Sequence, residues 1–148
     1  MPARPTDPLV GFSFGLDLSG KAAGYFLEVN GLGSESDVTE HKVTDPTGHG
    51  LIQKIPGRLK WTDVTLKRGV TAQMDLWQWR AAVEKGDMTN ARVNCTITMY
   101  DAAYTPVAKW NLANAWPTKI SGPTGNSDNS SLAVEEVTIT FESMERVQ

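Results

Sequence analysis

The chain has 148 residues, of which 40% are hydrophobic and 21% are charged, and its formal net charge at pH 7 is −3. This composition predicts one globular domain, 1–148, with a sizeable core, and it excludes wholesale disorder. The mildly acidic balance argues against nucleic acid or an anionic membrane as the partner, and the single cysteine cannot form an internal disulfide.

Residues 1–10 predict an extended N-terminal lead-in, because they contain three prolines, at positions 2, 5 and 8. They lack the apolar segment of a secretory signal, so we expect no signal peptide. No stretch of the sequence approaches the roughly 20 apolar residues of a membrane span. We therefore expect no stable membrane insertion of the monomer.

Two alternating segments follow and predict a β-hairpin. Apolar residues occupy every second position from Phe12 to Leu18, the period of a half-buried strand. After a turn at 19–21, the alternation continues with Tyr25, Leu27 and Val29, and with Phe26 on the opposite side.

The polar, glycine-containing region 34–58 predicts a long loop, with short strand pieces about Val38–Val43 and Leu51–Ile55. Connections of this length inside a compact domain are uncommon and often functional. A strand from Trp61 to Lys67 follows, and the face with Thr62, Val64 and Leu66 is expected to point inward.

One helix is predicted from Ala72 to Lys85. Thr71 offers an N-cap, and Gly86 is placed to end the helix in a left-handed conformation. Apolar side chains recur at helical spacing over a wide arc, wider than packing on one sheet face requires. The principal stripe contains Leu76, Trp79 and Val83.

The remaining chain predicts three more strands. The first is Val93–Met99, in which apolar and polar residues alternate. The second, Val107–Ala113, follows a turn and is ended by Trp116-Pro117. The third, Leu132–Ser143, closes the domain. Residues 121–131, rich in Ser, Asn and Gly, predict a flexible surface loop. The fold class is thus mainly β, an antiparallel β-sandwich or barrel of six to eight strands with one flanking α-helix.

Candidate chemical groups are few. His41 and His49 lie near acidic residues, but eight residues apart on a predicted loop is not a known metal-ligand spacing. Cys95 alternates with apolar residues, which favours a buried, inert thiol over a nucleophile. No nucleophile motif, phosphate-binding loop or dinucleotide fingerprint occurs. We therefore expect no enzyme activity, no metal and no cofactor.

Two surface features each allow two interpretations. The basic side chains of region 42–68 could meet phosphates, or they could meet the acidic surface of a neighbouring copy, which the acidic net charge favours. The five tryptophans could line a sugar-binding cleft of a carbohydrate-binding β-sandwich, or they could anchor the core and subunit contacts.

Three blocks of sequence resemble the inner tube proteins of contractile injection systems, relatives of the tail tube protein of contractile-tailed phages. The first block is Asp7-Pro-Leu-Val-Gly-Phe-Ser-Phe. The second is Lys54-Ile-Pro-Gly with Thr65-Leu-Lys-Arg-Gly and Leu76-Trp-Gln-Trp. The third is Trp110-Asn-Leu-Ala-Asn-Ala-Trp-Pro-Thr-Lys with Val134-Glu-Glu-Val-Thr-Ile-Thr-Phe-Glu.

The resemblance implies a structural subunit. Hexameric rings would stack into a hollow tube inside a contractile sheath, which drives the tube through a target membrane with effector cargo in its lumen. It implies partners at the baseplate and spike, a tape-measure or terminator protein, and assembly in the bacterial cytoplasm into a cytosolic, membrane-anchored or released particle. A phage tail tube or a type VI secretion tube is the alternative within the same architecture.

We expect the contacts within and between rings to involve region 34–58 and the basic strand beyond it. The residues of this expected interface are His41, Lys42, Lys54, Ile55, Pro56, Gly57, Arg58, Lys67, Arg68 and Trp77.

Overall fold

The computed structural model describes residues 12–69, 74–123 and 133–148. Within these ranges the chain is mainly antiparallel β-structure with two helices, which confirms the predicted fold class. The elements are β1 Ser13–Leu18, β2 Lys21–Phe26, β3 Glu28–Asn30, β4 Ser34–Thr44, β5 Gly50–Trp61, β6 Val64–Gly69, α1 Asp75–Glu84, α2 Met88–Ala91, β7 Val93–Tyr100, β8 Pro106–Ser121, β9 Val134–Thr140 and β10 Ser143–Arg146. The lead-in 1–10 and most of the loop predicted at 121–131 lie outside the described residues.

The main sheet has the strand order β2-β1-β7-β8-β9-β6-β3, and β10 pairs with β8 beside this path. Its two end strands, β2 and β3, are consecutive in the chain, with only Leu27 between them. The Leu27 N–H donates to the carbonyl of Lys67 on β6, at 2.8 Å. The sheet therefore curls so that its first strand returns beside β6, and the enclosed side chains form the core.

Strand β8 is longer than the sequence predicts, because it continues through Trp116-Pro117. Its first part pairs with β7 and β10, and its second part pairs with β9. Asn114, at φ 52°, lies between the two parts, and its backbone N–H donates to Oδ1 of Asn94. The buried Pro117 sits beside a register shift, a place where a strand tolerates proline because the regular ladder is interrupted there.

The inward face of β2 also differs from the predicted alternation. Phe26 is buried, whereas Tyr25 and Leu27 are exposed. The pairing of β1 with β2 shifts register between Gly15 and Asp17, which places an extra residue on β2. Such a bulge changes the phase of side chains along the strand, so Ala23 and Phe26, three residues apart, both face the core.

Helix α1 packs on β8 and buries Leu76 and Trp79, as its periodicity predicts. It begins at Asp75, and the predicted N-cap Thr71 lies outside the described residues. Its C-terminus follows the prediction, because Gly86 adopts φ 79°. The N–H groups of Gly86 and Asp87 donate to the carbonyls of Val83 and Ala82, the two bonds of a Schellman motif.

The strand predicted at Trp61–Lys67 is divided between the end of β5 and β6. Its inward face is confirmed at Val64 and Leu66, which are fully buried, whereas Thr62 is exposed in the gap between the two strands. The largest buried side chains of the core come from both parts of the sheet and from α1. They are Phe26, Leu16, Leu66, Leu76, Ile97, Leu112 and Ile139.

Candidate functional site

The most prominent surface feature is a projecting β-hairpin formed by β4 and β5, which we call the arm (residues 34–61). Most of the region expected as a long loop is therefore strand, and only the turn at 45–49 is not. The two strands pair from Ser34 opposite Trp61 to Thr44 opposite Gly50. They pair only with each other, and the arm makes no substantial contact with another element of the described chain.

Both faces of the arm present aliphatic side chains to solvent. Val38, Ile52 and Leu59 belong to one face, because directly opposed and alternate residues share a face, and Leu51 and Ile55 belong to the other. Their exposed fractions range from 45% to 60%. An isolated two-stranded hairpin is marginally stable in water, so exposed apolar groups on both sides indicate contacts with other molecules.

A β-bulge explains the Ile-Pro-Gly sequence of the arm. Register shifts between Ser36 and Val38, so that Gly57 and Arg58 on β5 lie against Asp37 on β4. A Cβ on Gly57 would lie 3.0 Å from the carbonyl oxygen of Asp37, which is tighter than ordinary contact. Pro56, opposite Val38, lacks an N–H and is tolerated because the arm is unpaired at its edges.

The tip of the arm is held by one carboxylate. Asp45 Oδ1 accepts hydrogen bonds from the Thr47 N–H at 3.0 Å, the Thr47 hydroxyl at 2.7 Å and the His49 N–H at 2.8 Å. The Thr47 hydroxyl bond, followed by the backbone bond from His49, lowers the pKa of Asp45. The tip is consequently ordered by its own side chains.

The histidines show no metal-binding arrangement. His49 Nδ1 lies 2.7 Å from the hydroxyl of Thr47 at the tip, and His41 is opposite Gln53 in the middle of the arm. Across the described ranges, no group of three or more His, Cys, Asp or Glu side chains is placed to hold a metal ion.

Acidic and basic side chains of the arm largely face each other. Glu35 is directly opposite Lys60, and Glu40 is directly opposite Lys54. Lys42 is instead opposite Ile52, and Arg58 lies at the bulge. Because Arg58 lies against Asp37 at that bulge, the basic stretch seen in the sequence is largely balanced within the arm, and Lys42 is the arm lysine without a directly opposed acid.

Two residues of the expected interface, Arg68 and Trp77, both donate hydrogen bonds to Glu135 inside the subunit. Arg68 Nε donates to Oε1 of Glu135 at 2.6 Å, and its Nη1 donates to the carbonyl of Ala23 at 2.7 Å. Trp77 Nε1 donates to the other oxygen of Glu135 at 2.8 Å. Arg68 is only 2% exposed, and its guanidinium lies over the ring of Phe26. This cluster joins β2, β6, β9 and α1.

The sequence contained a signal for this burial. Arg68 continues the inward face of Val64 and Leu66 at a period of two, and Glu135 continues that of Val137 and Ile139. Directly opposed in the register, they form a buried pair. Lys67, by contrast, is half-buried, with Glu28 and Glu136 opposite it on the two neighbouring strands.

The thiol of Cys95 is 1% exposed, and burial raises its pKa to about 12. This confirms the predicted burial of Cys95 in the core. None of the five tryptophans is exposed: Trp79 is buried, and Trp61, Trp77, Trp110 and Trp116 are partly buried. The side chains proposed for a sugar-binding cleft are thus used in packing.

In the described part of the chain, no helix has the length and apolar character needed to cross a membrane.

Solved structures with the same fold include a chain of a contractile injection system. A chain from the PVC extracellular contractile injection system, solved as a sheath-tube complex in the extended state, is 24% identical, with a TM-score of 0.73 over 97% of this chain and 93% of that one. A chain from the tube-terminating cap of the anti-feeding prophage is 22% identical, with a TM-score of 0.73 over 99% and 95%. Hcp1 from Flavobacterium johnsoniae is 14% identical, with a TM-score of 0.56 over 90% and 94%.

At these identities the structural likeness establishes the fold. The sequence itself provides the family, because the family model described as T4-like virus tail tube protein gp19 matches residues 10–145. No curated protein sequence matches the chain. The match covers the core strands, the arm and the buried cluster together, and the chain belongs to the T4-like tail tube protein family.

Proposed function

We propose that this protein is the repeating subunit of the inner tube of a contractile injection system. Its membership of the tail tube family and its fold, shared with a chain of a sheath-tube complex, support this proposal. The observation that carries it is the arm, whose two apolar faces have no packing partner in the described chain. Such a surface fits a subunit that completes its contacts only in an assembly.

The proposed assembly is a hexameric ring, and rings stack into a hollow tube. A ring needs heterologous contacts that close by rotation, and stacking needs a further surface on each subunit. We assign the arm to contacts with neighbouring copies. Of the expected interface, this retains His41, Lys42, Lys54, Ile55, Pro56, Gly57 and Arg58, which are all exposed. Arg68 and Trp77 support the fold of each subunit instead, and Lys67 lies between acidic residues of its own sheet.

The further partners follow from the proposed role. A contractile sheath surrounds the tube and drives it through a target membrane, while a baseplate with its spike and a tape-measure or terminator protein define the two ends. Structures with this fold come from a sheath-tube complex, a tube-terminating cap and a baseplate, which supports these partners. In this proposal an effector occupies the lumen of the tube. The assembled particle is extracellular or part of a secretion system. The subunit itself has no catalytic role.

Electron microscopy of the purified protein at increasing concentration tests the proposal. We expect rings of six subunits and short stacks, and protein that remains monomeric at high concentration would refute the assembly. A triple variant of the arm, Ile52→Ser, Ile55→Ser and Leu59→Ser, should abolish rings or stacks and leave the main sheet folded. The matched control replaces three comparably exposed residues elsewhere, Met74, Val134 and Val147, by serine. It should assemble normally.

A deletion of residues 40–57 tests the arm as a unit. We expect it to impair assembly more than folding, because the arm contributes little to the core. Loss of the folded monomer would instead show that the arm is part of the structural core. Circular dichroism and size-exclusion chromatography with light scattering separate these two results.

A phage tail tube or a type VI secretion tube is the second candidate, since Hcp1 shares the fold. The higher TM-scores and nearly complete coverage of the PVC and anti-feeding prophage chains favour the first. Neighbouring genes distinguish them: a capsid gene would indicate a phage, and genes for a membrane-anchoring complex would indicate type VI secretion.

A further inference from the structure

A second exposed apolar surface lies on the main sheet, where β2 ends and β7 turns into β8. Tyr25, Leu27 and Tyr104 line a groove of about 400 Å³ together with Ser13 and Phe26. We call it the tyrosine groove. Its three outer side chains are 62%, 68% and 69% exposed, the highest fractions among the large apolar residues of the described chain.

The aromatic rings of this groove are held in place. Tyr25 makes edge contacts with Tyr100 and Tyr104, with ring centroids 5.7 Å and 6.3 Å apart. Gly15 leaves room for the ring of Tyr100, because a Cβ there would lie 2.9 Å from its Cε2 atom. Tyr104 adopts φ 60°, a left-handed conformation that is unfavourable for a bulky residue. Strain of this kind in a surface aromatic points to a functional constraint.

The turn that carries Tyr104 is fastened by Asp101. Oδ1 of Asp101 accepts the N–H groups of Ala103 and Thr105, each at 2.9 Å, and its backbone carbonyl accepts the N–H of Tyr104 at 3.0 Å. The groove is thus preorganised, which lowers the entropic cost of binding a partner.

Most of the exposed large apolar residues of the described chain lie either on the arm or at the tyrosine groove. Five belong to the arm, three line the tyrosine groove, and Phe12 precedes Ser13 at the groove's edge. Met74, Val134 and Val147 belong to other parts of the sequence. One surface is a projecting aliphatic strip and the other is a concave aromatic surface, so the two are complementary in shape and chemistry.

Charges around the two surfaces are also complementary. Acidic residues flank the groove: Glu28 follows Leu27, Asp101 follows Tyr100, and Asp17 lies beside Tyr25 and Tyr100. On the arm, Lys42 is opposite Ile52 and has no directly opposed acid. This lysine would meet the acidic edge of the groove when the arm enters it.

We propose that the tyrosine groove of one subunit receives one apolar face of the arm of a neighbouring copy. The inference rests on the proposed tube assembly and names the surface that the arm contacts there. A groove-to-groove contact would be isologous and would end at a dimer, whereas arm-to-groove contact is heterologous and continues from copy to copy. The second face of the arm then contacts another part of the assembly.

Disulfide crosslinking between two singly substituted proteins tests this contact. One partner carries Tyr104→Cys, and the other carries Ile52→Cys or Ile55→Cys, one for each face of the arm. Mixed under assembly conditions with a mild oxidant, one of the two arm variants should give a covalent dimer with Tyr104→Cys in high yield. The buried Cys95 should not compete. Met74→Cys and Val147→Cys serve as equally exposed controls and should give at least several-fold less product.

Each alternative occupant of the tyrosine groove predicts a different crosslink. A Tyr104→Cys protein that crosslinks to itself would indicate groove-to-groove pairing, and efficient crosslinking to Thr6→Cys in the same chain would indicate that the lead-in fills the groove. Either result overturns the inference. Rings seen by microscopy without an arm-to-Tyr104 crosslink also overturn it and leave the tube proposal intact, whereas absence of rings overturns the tube proposal and this inference with it.

Discussion

The Nε atom of Arg68 lies 2.6 Å from Oε1 of Glu135, and both side chains are only 3% exposed. Arg68 also donates to the Ala23 carbonyl, so this pair spans the place where β2 returns beside β6. Trp77 brings helix α1 to the same carboxylate. One ion pair therefore connects the two ends of the curled sheet and the helix that covers it.

Removal of one member of this pair should be strongly destabilising. Arg68→Met leaves Glu135 as a buried carboxylate without its counter-charge, and we expect the free energy of unfolding to fall by about 3–5 kcal/mol. Urea denaturation of the monomer measures this value. The double variant Arg68→Met with Glu135→Leu should recover a large part of the loss, because it removes both charges.

The pair of Arg80 and the exposed Glu84, at 3.7 Å, provides the control. Glu84→Ala should cost less than about 1 kcal/mol, since surface ion pairs contribute little. A similar cost for Arg68→Met and Glu84→Ala would contradict the role of the buried pair.

Substitution at the bulge should affect assembly more than stability. Gly57→Ala places a Cβ against the Asp37 carbonyl and should shift the register or twist of the arm. We expect fewer or irregular stacks by electron microscopy and a nearly unchanged melting temperature. Gly50→Ala, in the same strand but with nothing within 4 Å of the added Cβ, is the matched control. Equal assembly of the two variants would show that the bulge geometry is dispensable.

The tip of the arm should be ordered over a wide pH range. Because hydrogen bonds lower the pKa of folded Asp45, its carboxylate stabilises the tip at and above the ordinary carboxyl pKa of 3.8. This contribution is lost as pH falls through the lowered value. NMR amide resonances of Thr47 and His49 should therefore change only in strong acid. In Asp45→Ala they should show a disordered tip even at neutral pH, and an ordered tip in that variant would exclude this role of the carboxylate.

Cys95 should react only after unfolding. Its raised pKa of about 12 and its burial leave almost no accessible thiolate at pH 8. A thiol reagent added to the folded protein should react slowly, at a rate that follows global opening, and in denaturant the reaction should be complete within minutes. Rapid labelling of the native protein would indicate that β7 opens locally.

Strand periodicity predicted the core face at Val64 and Leu66 and the burial of Cys95, because one side of each strand faces the core. It failed for the arm, where both sides face solvent and no consistent alternation marks the strands. It also failed at Phe26, where a bulge changes the phase, and at Pro117, where a register shift lets the strand continue. It was also not applied to Arg68, which follows the inward alternation of Val64 and Leu66 but was assigned to the expected interface because of its charge.

The arm makes little contact with the rest of its own chain, and this separates two kinds of evolutionary change. In the proposed assembly, substitutions along residues 34–61 would alter which subunits recognise one another while the main sheet keeps its shape. Substitutions among the buried side chains of the sheet are constrained by packing instead. Related subunits could thereby diverge in pairing specificity without a change in their fold.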